Sequence, residues 1–250
     1  MQVVINDQIV NYTISGNGKK LLILHGWGDS ITSYPNLIKE LSNKYQVIAV
    51  DLPGFGGTKI SADNYTLSKY ASFVKDFLIK INSEDIYILL GHSNGGAISV
   101  KAISENKVHP TKLILVGCSG IRNPDSSKLK ALKLFTKTAK VLTSPLPSKT
   151  KNNLKGKLYN KIGSDYLVNE TLKATFSEIV KEDIREDMKN VSQPTLLMYS
   201  DDDDRTPFAF GETFHQILSN STLEMLHGGG HFLIHSDPKQ IADRIKDFDK

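Results

Sequence analysis

A single cysteine, Cys118, excludes an intramolecular disulfide and fits a reducing compartment. Long apolar runs are missing too. "LLIL" and "YILL" are strand-sized, far short of the roughly 20 apolar residues that a membrane-spanning helix needs. The opening stretch "MQVVINDQIV" has no basic start followed by an apolar core, so no secretory signal is expected in it. These absences predict a soluble, cytoplasmic protein. Acidic residues are absent from residues 128–161, which carry ten lysines. The ordinary meaning of such a stretch is a solvated surface. The sharper one is a basic surface facing an anionic substrate or a membrane. Phe135 and Tyr159 are its only aromatics and it matches no recognition motif, so nucleic acid is not expected as a partner. "GFGGT" at 54–58 lacks the Gly-Lys-Ser/Thr that completes a phosphate loop. "DDDD" at 201–204 lacks the spaced oxygens and glycine of a calcium loop. No cofactor and no metal are expected.

What is present is an alternation. The chain has 250 residues, 39% hydrophobic and 23% charged, enough to bury a core without staples. "VVIN" and "QIVNYTIS" read as a hairpin turning near Asn6 and Asp7, and "KLLILHG" as a third strand. A helical segment near residues 34–43 and the strand "YQVIAVD" follow. Leu67, Tyr70, Phe73, Val74, Phe77, Leu78 and Ile81 then recur at helical spacing. Next come "IYILL", a helix starting near Asn94, and "KLILVG". The rhythm breaks at residues 122–190, which are lysine-rich, helix-like and without a convincing strand. It resumes with "PTLLMYS", a helix over residues 207–218, "STLEML" and a last helix from Pro238. Strands apolar on both faces, alternating with helices, predict an α/β fold with a mostly parallel sheet covered on both sides. Residues 1–121 and 191–250 are expected to form the core, and 122–190 a helical insertion.

Between "IYILL" and its helix, Gly91-His92-Ser93-Asn94-Gly95 fits Gly-x-Ser-x-Gly. This is the nucleophile elbow, confirmed by a strand before it and a helix after it. The turn is sharp, and glycines on either side keep side chains out of neighbouring backbone. A serine hydroxyl needs a base and a group that orients the base. On such a sheet the order along the chain is Ser, Asp or Glu, His. His231, in the loop "HGGGHFLIH" after the last strand, is the candidate base. "YSDDDDRTP" offers four candidate acids, Asp201 to Asp204. The oxyanion needs two donors. These are expected from the N–H of Asn94 and, in "HGWGDS", the N–H of Trp27. His25 is expected to brace that loop, and Cys118 to be packing.

Taken together, "LLILHGWGDS", "VIAVDLPGFGGT", "ILLGHSNGGAISV", "LLMYSDDDDRTP" and "GGGHFLIHSDP" resemble the α/β-hydrolases in order and spacing over nearly the whole chain. The resemblance implies an acid motif Gly-x-x-Asp-x-x-x-Pro. Ser200 stands at the glycine's place and Pro207 is in register, so Asp203 becomes the acid. It also implies that residues 122–190 form a cap. Residues 128–142 can set Leu129, Leu132, Phe135, Ala139 and Leu142 on one face. Trp27 and Phe135 are therefore expected to touch substrate. A serine at 93 argues against epoxide hydrolases and haloalkane dehalogenases, which use aspartate. What remains resembles carboxylesterases, the biotin-pathway ester hydrolase, C–C bond hydrolases and lactonases. The expected activity is hydrolysis of a small-to-medium carboxylic ester through an acyl-enzyme. A C–C hydrolase or lactonase, or a small-molecule receptor on the same fold, are the alternatives. The oligomeric state is left open.

Overall fold

The computed structural model describes residues 1–60, 64–122 and 172–250. The strands among them are β1 (Gln2–Ile5), β2 (Gln8–Ser15), β3 (Lys19–Leu24), β4 (Tyr45–Val50), β5 (Ile88–His92), β6 (Lys112–Val116), β7 (Thr195–Ser200) and β8 (Ser221–Leu226). They form one sheet in the order β1-β2-β4-β3-β5-β6-β7-β8. β2 pairs antiparallel with β1 and β4, and all the other neighbours are parallel. Asn6 and Asp7 close the first hairpin with φ of 47° and 61°. Two successive left-handed residues give the turn whose twist matches that of the strands.

The described helices are α1 (Pro35–Leu41), α2 (Leu67–Lys80), α3 (Asn94–Ser104), α4 (Lys173–Ile179), α5 (Arg185–Met188), α6 (Phe208–Ile217), α7 (Leu233–Ser236) and α8 (Pro238–Phe248). Thr66 caps α2 by accepting from the Lys69 N–H at 3.2 Å, and Asp237 caps α8 by accepting from Gln240 N–H at 3.0 Å. The helix expected over residues 34–43 starts one residue later, at Pro35. Tyr34 is instead buried, with its ring turned toward His92 and His235.

Strand side chains alternate between the two faces of a sheet. Leu22, Leu24, Leu89, Leu113, Leu115 and Leu197 pack with α2 and α3 on one face. Leu21, Ile23, Leu90, Ile114, Leu196 and Met198 pack with α1 and α8 on the other. This double burial is why the strands read as unbroken apolar runs. Cys118 is fully buried, in the same cluster as α2 and α3.

Residues 117–194 connect β6 to β7. Their described part is fastened to the core. Ile179, Ile184 and Met188 join the cluster of α2 and α3. Glu182 accepts from the Leu67 N–H at 2.8 Å, and Lys101 pairs with Asp187 at 2.6 Å. The helix expected over residues 128–142, with Phe135 on its apolar face, lies outside the described residues. No helix among the described residues is long and apolar enough to cross a membrane.

The strand order decides where a site belongs. From β3 the chain crosses to β4 on one side, then returns to β5 on the other. The loops leaving β3 and β5 therefore diverge to opposite faces. In open α/β sheets the crevice at such a switch point, beyond the carboxyl ends of the strands, is where ligands bind. "HGWGDS" leaves β3 there, and Ser93 leaves β5.

Candidate active site

Ser93 sits between β5 and α3 with φ 51° and ψ −115°. Left-handed φ is costly for a residue with a Cβ, about 1–3 kcal/mol when the surroundings impose it. Here they do. The Ser93 N–H donates to the Val116 carbonyl at 3.0 Å, and the Ser93 carbonyl accepts from Gly96 N–H at 3.0 Å. The flanking glycines are steric necessities. A Cβ on Gly95 would lie 2.1 Å from the Leu24 carbonyl oxygen, and one on Gly91 2.5 Å from the Gly96 Cα. Backbone meets backbone at both places, so no rotamer relieves the clash. The strain gives a measurable expectation. Ser93→Gly relieves it and Ser93→Ala does not, so the glycine variant should unfold about 2–4 °C above the alanine variant. Differential scanning calorimetry of the two proteins checks this, and equal midpoints would mean that the elbow stores no strain.

His231 follows β8, in the loop that Asp201 and Asp202 tie down. Asp201 pairs with His227 Nδ1 at 2.7 Å and accepts from Gly228 N–H at 3.1 Å. Asp202 accepts from Gly230 N–H at 2.8 Å and from the Ser200 hydroxyl at 2.5 Å. With the loop so fixed, His231 Nε2 lies 3.0 Å from Ser93 Oγ, and His231 Nδ1 lies 2.8 Å from Asp203 Oδ2.

Of the four consecutive aspartates only Asp203 is buried. Its Oδ1 accepts from the N–H groups of Arg205 and Thr206 at 2.8 and 2.9 Å. Its Oδ2 accepts from the Thr206 hydroxyl at 2.7 Å as well as from His231. Burial pushes this carboxyl up, but the His231 hydrogen bond and charge, with Thr206, outweigh it and hold it below its ordinary value. It is therefore a carboxylate at neutral pH and a pure acceptor. His231 Nδ1 must then carry the proton between them, which leaves the Nε2 lone pair for the Ser93 hydroxyl. The other C-terminal histidines point elsewhere. His215 contacts Ser221 Oγ at 2.8 Å, and His235 pairs with Asp29 at 3.0 Å.

Asn94 is the first residue of α3, so its N–H has no acceptor within the helix. The β3 loop comes close to the elbow, since a Cβ on Gly26 would lie 3.3 Å from Ser93 Cβ. Trp27 follows in that loop, half-buried, its ring 4.9 Å from Phe55 and 5.1 Å from Phe176. His25 ties the loop down. Its Nδ1–H donates to the Gly26 carbonyl at 2.8 Å and its Nε2 accepts the Leu52 N–H at 2.9 Å. Both ring nitrogens are used by a neutral imidazole, and burial lowers its pKa accordingly. The Asp51 carboxylate organises the "GFGGT" loop, accepting from Gly57 N–H, Ile31 N–H and the Asn11 amide, each at 2.8 Å. That loop does wrap an anion, but one supplied by the chain itself. Phe135 lies outside the described residues.

Three contributors escape the sequence reading. Thr206 touches both Asp203 Oδ2 and His231 Nδ1, the latter at 3.0 Å. Asp203 accepts from the N–H two residues on, at Arg205, which is an Asx turn, and in "DDRT" that turn sets Thr206 beside the carboxylate. His92 is fully enclosed and its Nε2 lies 3.1 Å from the His231 carbonyl. Burial first, then His231 and His235, bring its pKa down to about 3. It is thus neutral and puts no positive charge beside His231. Tyr34 backs it, with the hydroxyl 2.9 Å from His92 Nδ1. No local pattern marks these two.

With this geometry in place, the comparisons narrow the family. A family model described as serine aminopeptidase, S33, matches residues 17–239. An uncharacterized hydrolase of Bacillus subtilis, YugF, is 27% identical over 92% of this chain and 89% of its own. Monoacylglycerol lipase abhd6-B of Xenopus laevis is 24% identical over 93% of this chain and 76% of its own. Among solved structures, a bacterial membrane phospholipase A superposes with a TM-score of 0.79 at 21% identity, covering 99% of this chain and 84% of that one.

Proposed function

The chain belongs to the α/β-hydrolases, in the family that the serine aminopeptidase S33 model describes, and from that premise we propose that it hydrolyses a small-to-medium carboxylic ester through Ser93, His231 and Asp203. The unbroken line from Ser93 Oγ through His231 to Asp203 Oδ2, at 3.0 and 2.8 Å, is the observation that carries this reading.

Ser93 Oγ attacks the acyl carbonyl as His231 Nε2 takes its proton. The imidazolium so formed is stabilised by the Asp203 carboxylate, which stays ionised. The tetrahedral oxyanion sits against the N–H groups of Asn94 and Trp27. Each such donor is worth about 3 kcal/mol of barrier. The positive end of the α3 dipole at Ser93 acts in the same direction. His231 then protonates the leaving alcohol, and water repeats the attack to release the acid and restore Ser93. The chemistry closes on protein groups and water alone. In this reading residues 122–190 act as the cap that selects the acyl chain, with Trp27 and Phe135 against the substrate.

The experiment is labelling with a fluorophosphonate, which phosphonylates a serine only where a base and an oxyanion hole activate it. One adduct per chain, mapped to Ser93, is expected, followed by turnover on a panel of p-nitrophenyl esters of increasing chain length. An unlabelled, correctly folded protein would leave a binder on a hydrolase scaffold.

A further inference from the structure

We propose that Asp29, His92 and His235 form a binding site for a divalent transition-metal ion such as Zn2+, behind the triad and separate from it. The ligand atoms are Asp29 Oδ2, His92 Nδ1 and His235 Nε2, which lie within 4.8 Å of one another. They come from the β3 loop, the end of β5 and α7, so no sequence spacing betrays them.

Proton counting carries the argument. His92 Nε2 faces the His231 carbonyl at 3.1 Å, and His235 Nδ1 faces the Ser33 carbonyl at 3.0 Å. A carbonyl only accepts, so those two nitrogens hold the protons. In the neutral rings the opposite nitrogens are then bare lone pairs, and both turn toward Asp29. His235 Nε2 is 3.0 Å and His92 Nδ1 is 3.9 Å from Asp29 Oδ2. One hydroxyl stands among them. The Tyr34 oxygen is 2.9 Å from both Asp29 Oδ2 and His92 Nδ1, and its single proton can serve only one of them. Three electron-rich atoms thus converge on a place with too few protons.

A cation satisfies all three at once. Two neutral imidazoles and a carboxylate are a donor set that zinc favours, and a backbone carbonyl behind each imidazole is the usual support for a metal-bound histidine. Burial of the Asp29 carboxyl raises its pKa, but the polar contacts with His235, Ser33 and Tyr34 more than reverse this, and an ion would take the place of any proton shared between Asp29 Oδ2 and His235 Nε2. Tetrahedral zinc, at about 2.0–2.2 Å from its ligands, sets those ligands about 3.3 Å apart. The two rings therefore draw in slightly as the site fills. His92 is sealed, while the side chains of Asp29 and His235 keep 14% and 21% exposure, which leaves an entry for the ion and a water as fourth ligand. The competing occupant is a proton in the 3.0 Å contact between Asp29 and His235.

Full-length protein stripped with a chelator and titrated with Co2+ at neutral pH separates the two. One ion per chain, the visible ligand-field bands of a tetrahedral cobalt site, and an unfolding midpoint raised by about 5 °C at saturation are expected. Asp29→Asn and His235→Leu should each weaken binding by at least about tenfold. Asp201→Asn, which breaks the exposed His227–Asp201 pair, should leave it unchanged. Absence of stoichiometric binding at millimolar Co2+ and Zn2+, or binding that survives both site substitutions or is lost with Asp201→Asn, overturns the proposal. None of these readouts involves ester turnover, so their failure leaves the hydrolase reading standing, and the reverse holds.

Discussion

Ser93→Ala lowers kcat on p-nitrophenyl acetate by about 10^6-fold, while the variant keeps its circular dichroism and cooperative unfolding. The size follows from the way a triad works as one unit. Removing the nucleophile of such a unit costs about as much as removing all of it, and what persists is the 10^3–10^4-fold contribution of the oxyanion donors and binding over water. Alanine retains the Cβ and the backbone bonds of Ser93 to Val116 and Gly96, so the turn is still imposed. His231 loses only its partner at Nε2 and remains held at Nδ1. Fluorophosphonate labelling should vanish in the same variant. Stopped-assay kinetics on protein purified free of host esterases decide the matter. If more than about one part in a hundred of the wild-type kcat persists, the nucleophile is elsewhere.

How far this arrangement is legible in the sequence depends on whether local rules or distant packing set each position. β3, β5 and β7 read clearly because both of their faces are buried, so nearly every residue is apolar. The hairpin at Asn6 and Asp7 reads because left-handed turns demand such residues. Ser93 reads because Gly91 and Gly95 have no sterically allowed replacement beside Leu24 and Gly96. Which aspartate of the four turns inward does not read from the residues alone. That choice is made by the turn in which Arg205 and Thr206 N–H groups close on Asp203 Oδ1. His92, Tyr34, Asp29 and His235 are the opposite extreme. The elements that bring them together are joined only by the sheet order, with Asp29 and His235 206 positions apart. Polar contacts at that range follow from the fold and are not written in any short pattern. The lysine-rich stretch at 128–161, read as surface or lid, lies outside the described residues.

Asp203→Asn lowers kcat by about 10^4-fold, whereas the same change at Asp201, Asp202 or Asp204 leaves most of the activity in place. The direction of the asparagine is forced. At Oδ1 two backbone N–H groups, from Arg205 and Thr206, demand an acceptor, so the amide oxygen must settle there. The amide nitrogen then occupies the place of Oδ2, facing His231 Nδ1 from about the same 2.8 Å. It is a donor where His231 needs an acceptor. The imidazole answers by moving its proton to Nε2, and an Nε2–H cannot take the proton of Ser93. Losing the correct tautomer with the geometry intact costs about 10^4-fold in enzymes built on this triad. The carboxylate that stabilises the developing imidazolium is lost as well. Asp201 and Asp202 act one step away, through His227, Gly228 and Gly230. Asp202→Asn keeps an oxygen for Gly230 N–H, so the loop holds and Nε2 stays bare. The four variants, assayed side by side on one ester, give a pattern that a merely structural acid does not. Should Asp202→Asn be the inactive one and Asp203→Asn near wild type, the acid is displaced by one residue and the tautomer argument fails with it.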